Sequence, residues 1–333
     1  MNLLRKSLYP LSLIYAIATR VRNAAYDAQW LKQKQYEVPT IVVGNLITGG
    51  SGKTPMIAYL IDHFSNHFSL AVLSRGYKRK SSGFVLANQD SSIESLGDET
   101  FLLSQKFQTT HFGVCKNRLE GVEQLLYKFP KIDGILLDDG YQHRQLKPSF
   151  QILLTPYQNP WFRDCVLPTG NLRESANGKK RADVVVVTKC PSTLSKIEQD
   201  EHTHQLQLDA HQHIFFSTIV YDFYIFGASR MELQSFVKNP FILVTGIANA
   251  KPLAEYLEGL GADFEHLAFA DHHFFTASDC KKMLSKKRPI LTTEKDYVRL
   301  SQMIKEVFFI PISIRFLSDE DRFKSLITNQ LGD

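Results

Sequence analysis

The sequence predicts an α/β fold: a parallel sheet flanked by helices, with a smaller C-terminal α/β domain joined through a strand linker. Three observations point there. From residue 40 to 190, apolar strand-like runs alternate with helical stretches, the pattern of a parallel sheet covered on both sides. One run, Val184-Val-Val-Val187, is continuously apolar, as a strand buried on both faces must be. A glycine-rich turn joins the first such strand to an apolar helix pattern.

Taken in order, the strands of the large domain are expected at Thr40–Asn45, Leu70–Ser74, Gly134–Asp138, Gln151–Thr155 and Asp183–Thr188. Residues 191–213 are polar with no clear core pattern. Ile214–Phe226 reads as one or two extended strands. A second α/β unit follows, with a strand at Phe241–Thr245, a turn at Gly246–Asn249 and a helix over Pro252–Leu260. Further strands are expected at Pro289–Thr292 and Phe308–Ile314. The division is residues 1–30 as an N-terminal helix, 31–212 as the large domain, 213–228 as a linker and 229–333 as the small domain. No internal repeat or low-complexity segment interrupts it.

Composition bounds the class. The chain has 333 residues, 44% hydrophobic and 22% charged, enough for one large or two ordinary domains with ample core. Cys115, Cys165, Cys190 and Cys280 form no C-x-x-C pair. That indicates neither a zinc site nor a disulfide framework, and fits a reducing compartment.

The net charge of +5 sits at one end. Residues 1–35 hold Arg5, Lys6, Arg20, Arg22, Lys32 and Lys34 against Asp27 alone. The apolar run Leu8–Thr19 between the cations is shorter than the roughly 20 residues a helical span needs. After Pro10, Leu11, Ile14, Tyr15, Ala18, Val21 and Ala25 fall at helical spacing. An apolar stripe ringed by cations suits a helix lying in a membrane interface. The same stripe also suits a helix packed on the protein's own core. A secretory signal fits less well: no small-residue cleavage site follows, and arginines come at once.

The chemistry is concentrated in Gly44-Asn-Leu-Ile-Thr-Gly-Gly-Ser-Gly-Lys-Thr-Pro55. Strand, glycine-rich turn and helix with Gly52-Lys53-Thr54 at the joint is the context of a phosphate-binding loop, and makes the sheet P-loop NTPase-like. Gly49, Gly50, Ser51 and Gly52 offer backbone N–H groups to phosphate oxygens at a helix N-terminus. Lys53 reaches the outer phosphates, and Thr54 offers a hydroxyl to Mg²⁺. The stricter pattern has glycine where this chain has Ile47. An ordinary strand-to-helix turn needs the glycines but has no use for Lys53 and Thr54.

Other clusters fall where the strands end. Ile135-Leu-Leu-Asp138-Asp139 presents carboxylates beside the loop, where nucleotide enzymes hold Mg²⁺. Side chains alternate along a strand, so Asp139 faces the site only if the chain turns at Gly140. Arg75, ending the next strand, is a phosphate contact or a surface arginine. Asp98 is a helix N-cap or a general base. Arg173 and Glu174, after the Pro168–Asn171 turn, are a phosphate contact and a metal carboxylate, or a surface pair. Asp271-His272-His273 has the residue types of a proton-handling unit and lacks the ligand spacing of zinc. Thr188-Lys189-Cys190-Pro191 lacks the aspartate of guanine-specific loops, and no transporter-type signature is present. The polar run Leu291–Tyr297 acquires no role from its sequence.

Together these segments resemble the tetraacyldisaccharide 4′-kinase family of lipid A biosynthesis. The matching stretches are Gly44–Pro55, Ser74–Tyr77, Gly97–Glu99, Asn117-Arg118, Leu137–His143, Pro168–Glu174, Asp271–His273 and Thr293–Asp296. The family's phosphate loop also lacks the first glycine, in keeping with Ile47. The resemblance implies ATP-dependent phosphorylation of the 4′-hydroxyl of an acylated disaccharide 1-phosphate. It implies Mg²⁺ as cofactor and a monotopic enzyme at the cytoplasmic face of the inner membrane, with no nucleic-acid partner and no obligate protein partner.

Residue by residue, it puts Lys53 and Thr54 on phosphates and Mg²⁺, and Asp138, Asp139 and Glu174 in the acidic metal environment. Asp98 becomes the catalytic base, supported by His272 in preference to His273, with domain closure bringing the two together. Arg75, Arg118 and Arg173 neutralise phosphate charge. Gln142, His143 and Glu99 line the site, with Arg118 on the substrate side. A kinase for a soluble metabolite and a non-enzymatic ATP-binding regulator are the competing readings. The first predicts indifference to residues 1–25, and the second predicts ATP binding without turnover.

Overall fold

A computed structural model of the chain describes Arg5 and residues 7–332; Lys6 and the first four residues of the basic N-terminal segment lie outside the described residues. The chain divides into a large unit, residues 1–219 with 314–333, and a small unit, residues 220–313.

The large unit opens with helix α1 (Tyr9–Asp27) and continues β1 (Thr40–Asn45), α2 (Lys53–Phe64), β2 (Leu70–Ser74) and β3 (Val85–Leu86). Then come α3 (Ile93–Leu96), α4 (Asp98–Lys106), β4 (His111–Val114), α5 (Arg118–Lys128), β5 (Gly134–Asp138), β6 (Phe150–Pro156), β7 (Val184–Thr188), α6 (Lys196–Leu206) and β8 (His213–Tyr221). The small unit holds β9 (Tyr224–Gly227), β10 (Met231–Glu232), α7 (Leu233–Phe236), β11 (Phe241–Thr245), α8 (Lys251–Gly259) and β12 (Phe264–Ala268). It ends with α9 (Ala277–Ser285), β13 (Ile290–Thr293), α10 (Glu294–Leu300) and β14 (Val307–Ile310). The chain returns to the large unit through β15 (Ile312–Phe316) and α11 (Glu320–Gly332).

The large sheet has nine strands in the order β15-β8-β7-β6-β1-β5-β2-β4-β3. Pairing from β8 through β4 is parallel, and β3 adds an antiparallel edge. Strand alternation splits its core in two. Ile41 and Val43 face one cluster with α2, while Val42 faces the other. Every residue of β1, β2, β5 and β7 is buried, as the continuous apolar runs predict. In the small unit β11, β12, β13 and β14 pair in parallel and β9 joins antiparallel.

Two boundaries differ from those the sequence suggested. Residues 314–333 belong with the large unit, not with the small domain. Phe323, Ile327 and Leu331 fall at helical spacing along α11 and are buried in the same cluster as α2, and Tyr59 donates to Glu320 at 2.8 Å. The segment 213–228 is no separate linker: β8 pairs in parallel with β7 as part of the large sheet, and β9 is a strand of the small one. Helix α6 arises in the stretch that looked structureless. It starts at a capping box of Ser195 and Glu198 and buries Gln199, His202 and Leu206, so its inner face carries little apolar signal.

Helix α1 reverses the usual amphipathic arrangement. Its buried residues are Ser12 and Thr19, while Leu11, Leu13, Ile14, Ile17 and Val21 are exposed by 53–65%. Polar groups seat it on the Pro168–Glu174 turn: Ser12 Oγ donates to Thr169 Oγ1 at 2.7 Å and Thr169 N donates back to Ser12 Oγ at 2.9 Å. Tyr15 Oη donates to the Arg173 carbonyl at 3.0 Å, and Arg144 ties Asp27 and the Asn23 carbonyl. The expectation of a helix covering the protein's own core is therefore overturned. Among the described residues no helix is long and apolar enough to cross a membrane.

Candidate functional site

The phosphate-binding loop runs from the end of β1 into α2, whose N-cap is Gly52 in the left-handed conformation, φ 90°. A side chain there is strained whatever the space. Asn45 Nδ2 donates to Ser51 Oγ at 2.8 Å across the loop. Lys53 Nζ lies 3.5 Å from Asp139 Oδ1, and Arg173 Nη1 lies 2.7 Å and 2.8 Å from the two Asp139 oxygens. Two cations thus converge on one carboxylate beside the loop. Burial alone would push the Asp139 pKa up, but Lys53 and Arg173 outweigh it and hold the carboxyl below its ordinary value.

The turn required for Asp139 to face inward is present. Its φ is 54°, and its N–H donates to the Val43 carbonyl at 3.0 Å. Asp138 ends β5 and is 5% exposed. Burial, and next the charge of Glu99, push its carboxyl up to about 7. Its Oδ1 has no hydrogen-bond partner, and Ser74 Oγ donates to Oδ2 at 3.4 Å. A buried carboxylate with an unpartnered oxygen fits a cation, because a nearby positive charge offsets the desolvation that disfavours its ionised form.

Glu99 and Glu174 are both engaged by neighbouring side chains. Glu99 Oε2 accepts from the Thr54 hydroxyl at 3.0 Å, beside the phosphate-binding loop. Glu174 is fully buried, and both its oxygens are engaged. Arg181 donates to them at 2.8 Å and 3.1 Å, Gln142 Nε2 to Oε1 at 3.1 Å and Asn23 Nδ2 to Oε2 at 2.5 Å. A carboxylate so committed is a structural hub, and a metal would have to break charge-assisted bonds to use it. Among the described residues no group of three or more His, Cys, Asp or Glu side chains forms a ready-made metal site.

Asp98 is buried as the first residue of α4, and the N-cap position itself is Gly97. The helix-cap reading of Asp98 therefore fails. Arg118, the first residue of α5, is 2% exposed. Its guanidinium donates to the Cys115 and Asp138 carbonyls, its Nε has no partner, and burial lowers it to about 10. Arg118 and His143 line a cavity of about 390 Å³ with Lys116, Asn117 and Gln145. Burial, then the charges of Arg118 and Arg75, bring His143 down to about 4, so its ring is neutral at pH 7. The cavity lies past the carboxyl ends of β4 and β5, where ligands enter open α/β sheets.

Sequence reasoning missed Arg181 and Lys189. Lys189 Nζ donates to the Gly50 carbonyl at 2.6 Å, and Thr188 Oγ1 to the Ser51 carbonyl at 2.8 Å. The position of Lys189 just after the buried strand β7 is the signal that could have found it. Gln142 braces the loop as well, donating to the Asn45 carbonyl at 3.0 Å.

Arg75 is exposed just after β2 in the large unit, while His272 and His273 lie in the small unit. His272 adopts φ 59°. Its Nε2 faces Lys295 Nζ at 3.0 Å, and its Nδ1 faces Arg299 Nη2 at 3.2 Å. His273 Nε2 pairs with Asp279 Oδ2 at 3.1 Å, and its ring stacks on Phe269 at 4.7 Å. Both histidines are thus held by side chains of the small unit, His273 by Asp279 and His272 by Lys295 and Arg299.

The chain is similar to known proteins along nearly its whole length. A family model described as tetraacyldisaccharide-1-P 4′-kinase matches residues 4–332. The chain is 47% identical over 331 residues to the tetraacyldisaccharide 4′-kinase of Flavobacterium johnsoniae, covering 97% of this chain and 96% of that protein. It is 42% identical over 336 residues to that of Flavobacterium psychrophilum, covering 99% and 97%. The crystal structure of LpxK from Aquifex aeolicus in complex with ATP superposes with a TM-score of 0.80 at 29% identity, covering 99% of this chain and all of that one. The chain belongs to the tetraacyldisaccharide 4′-kinase family.

Proposed function

We propose that the chain transfers the terminal phosphate of ATP to the 4′-hydroxyl of tetraacyldisaccharide 1-phosphate, giving lipid IVA in lipid A biosynthesis. The observation that carries this reading is the family match across residues 4–332. The cations around Asp139 and the loop beside them supply the chemistry it needs. Phosphoryl transfer relies on positioning and charge neutralisation more than on covalent catalysis.

Each residue then has a task. The backbone N–H groups of residues 49–54 and the Lys53 ammonium hold the phosphates. Arg173, now paired with Asp139, is set to share its charge with the transferred group. Mg²⁺, held by the Thr54 hydroxyl and the Asp138 carboxylate, would neutralise phosphate charge. Asp98 accepts the proton of the sugar hydroxyl, and His272 is its support. Arg118 and Arg75 hold the substrate's anionic end, with neutral His143 beside Arg118. The exposed apolar side of α1 lies in the cytoplasmic face of the inner membrane, where an acylated acceptor is met.

The test is product formation. Purified full-length protein with Mg²⁺-ATP and tetraacyldisaccharide 1-phosphate in detergent should give a bisphosphorylated product by mass spectrometry. Lys53→Ala should remove at least about a thousandfold of the rate, and Asp98→Ala a comparable share with ATP affinity kept. ATP binding without product from the wild-type protein would sink the assignment.

A further inference from the structure

Thr293-Glu294-Lys295-Asp296 lies at the junction of β13 and α10 in the small unit. Asp296 is fully buried and works as a joint. Its Oδ2 accepts from the Thr293 hydroxyl at 2.8 Å and from the Gly246 N–H at 2.8 Å, while its own N–H donates to Thr293 Oγ1 at 3.1 Å. Gly246 passes the connection on: its carbonyl accepts from the His272 N–H at 3.0 Å. A side chain at Gly246 would force a neighbour to shift. A Cβ on Gly246 would lie 2.9 Å from Asp296 Oδ1 and 3.4 Å from the Ala270 carbonyl.

The same helix holds the His272 side chain. Lys295 and Arg299 are four apart on α10 and therefore share a face. Lys295 Nζ stands 3.0 Å from His272 Nε2, and also 3.5 Å from Asp271 Oδ1. Arg299 Nη2 stands 3.2 Å from His272 Nδ1, and Arg299 Nη1 donates to the His273 carbonyl at 2.9 Å. Both ring nitrogens thus stand within reach of cations on one helix, and the neutral imidazole, with one acceptor nitrogen, accepts from one of them. The loop backbone is tied to the same helix at two points, through Gly246 and through the His273 carbonyl. A left-handed backbone at a non-glycine residue, as at His272, persists only where its surroundings over-determine it.

We infer that α10 is a clamp for His272, in which Lys295 and Arg299 position the imidazole and Asp296 fixes the loop that carries it. This rests on the role proposed for His272. Lys295 and Asp296 are positioning residues; neither is assigned contact with a reacting atom. The Thr293–Asp296 run thereby gains a function that phosphate chemistry does not require of it.

The experiment uses the full-length protein. Lys295→Met should lower kcat about tenfold with KM for ATP held within about twofold, since the nucleotide loop belongs to the other unit. Lys295→Arg should recover most of the loss. The imidazole ¹⁵N resonances of His272 should move in Lys295→Met and in Asp296→Asn, and stay put in the surface control Lys282→Met. Wild-type kcat together with unmoved His272 resonances in Lys295→Met overturns the clamp, as does an Asp296→Asn variant that is only less stable. If the wild-type protein forms no product, the proposed function fails, and the His272 resonances alone decide the clamp.

Discussion

Helices α1 and α2 carry similar apolar patterns and bury opposite sides. Helix α2 turns Met56, Ile57, Leu60, Ile61 and Phe64 into the sheet, where each fully buried large side chain contributes about 1.5–3 kcal/mol. Helix α1 turns Ser12 and Thr19 inward and leaves Leu11, Leu13, Ile14, Ile17 and Val21 outside. Periodicity therefore reveals that a helix has an apolar side; it does not reveal what covers that side. For α2 the cover is the parallel sheet that sets the phosphate loop. For α1 the seam is a set of hydrogen bonds to the Pro168–Glu174 turn, and the apolar side is left exposed.

Substitutions can break or sharpen that contrast. The largest effect on the fold belongs to the inward helix: Leu60→Ala should cost about 2–5 kcal/mol in urea unfolding, because the sheet above it closes only partly on the cavity. The paired change Ile14→Asp with Ile17→Asp should shift stability by no more than about 0.5 kcal/mol. It should weaken binding to phospholipid vesicles by roughly tenfold or more, read by co-sedimentation. Equal loss of stability from both experiments would erase the distinction.

A smaller effect probes the seam. Ser12→Ala removes the hydroxyl that both donates to Thr169 Oγ1 and accepts from Thr169 N–H, and should cost about 1 kcal/mol. The measurement is release of α1 to limited proteolysis, and unchanged protection would show that the seam is not what holds the helix.

The smallest is a slope. Asp138 titrates near 7 in the folded chain against 3.8 ordinarily, so the folded protein keeps a proton the unfolded one has lost between those values. Its contribution to stability is present below about pH 4 and is lost as pH rises to about 7. Asp138→Asn should flatten that decline in urea unfolding of the nucleotide-free protein. Ile14→Asp should leave the slope as it is. A steeper decline in the asparagine variant would reverse the assignment.

Much of the site was legible because glycine-rich turns and strand ends have local causes. Gly49, Gly52, Lys53 and Thr54 announce a phosphate loop from residue type and order alone. The alternation of β1 through β7 announces the parallel sheet. Glu174 was not legible: a carboxylate beside Arg173 looks like a metal ligand or a surface ion pair, and its true partners, Asn23, Gln142 and Arg181, come from three other places in the chain. Helix α11 was misplaced for a related reason, since its stripe of Phe323, Ile327 and Leu331 fits any apolar layer and only the packed fold says which.

The sequence by itself determined the main strands of the parallel sheet, the glycine-rich loop that follows the first of them and the family the chain resembles, because those depend on residues close together in the chain. Only the tertiary structure decided that Asp139 turns toward Lys53 and Arg173, that Asp138 is buried enough to hold its proton, that His273 is spent on Asp279 while α10 brackets His272, and that α1 faces outward. Those outcomes depend on burial and on partners far away in sequence, and the energies involved arise only when the chain has brought those groups together.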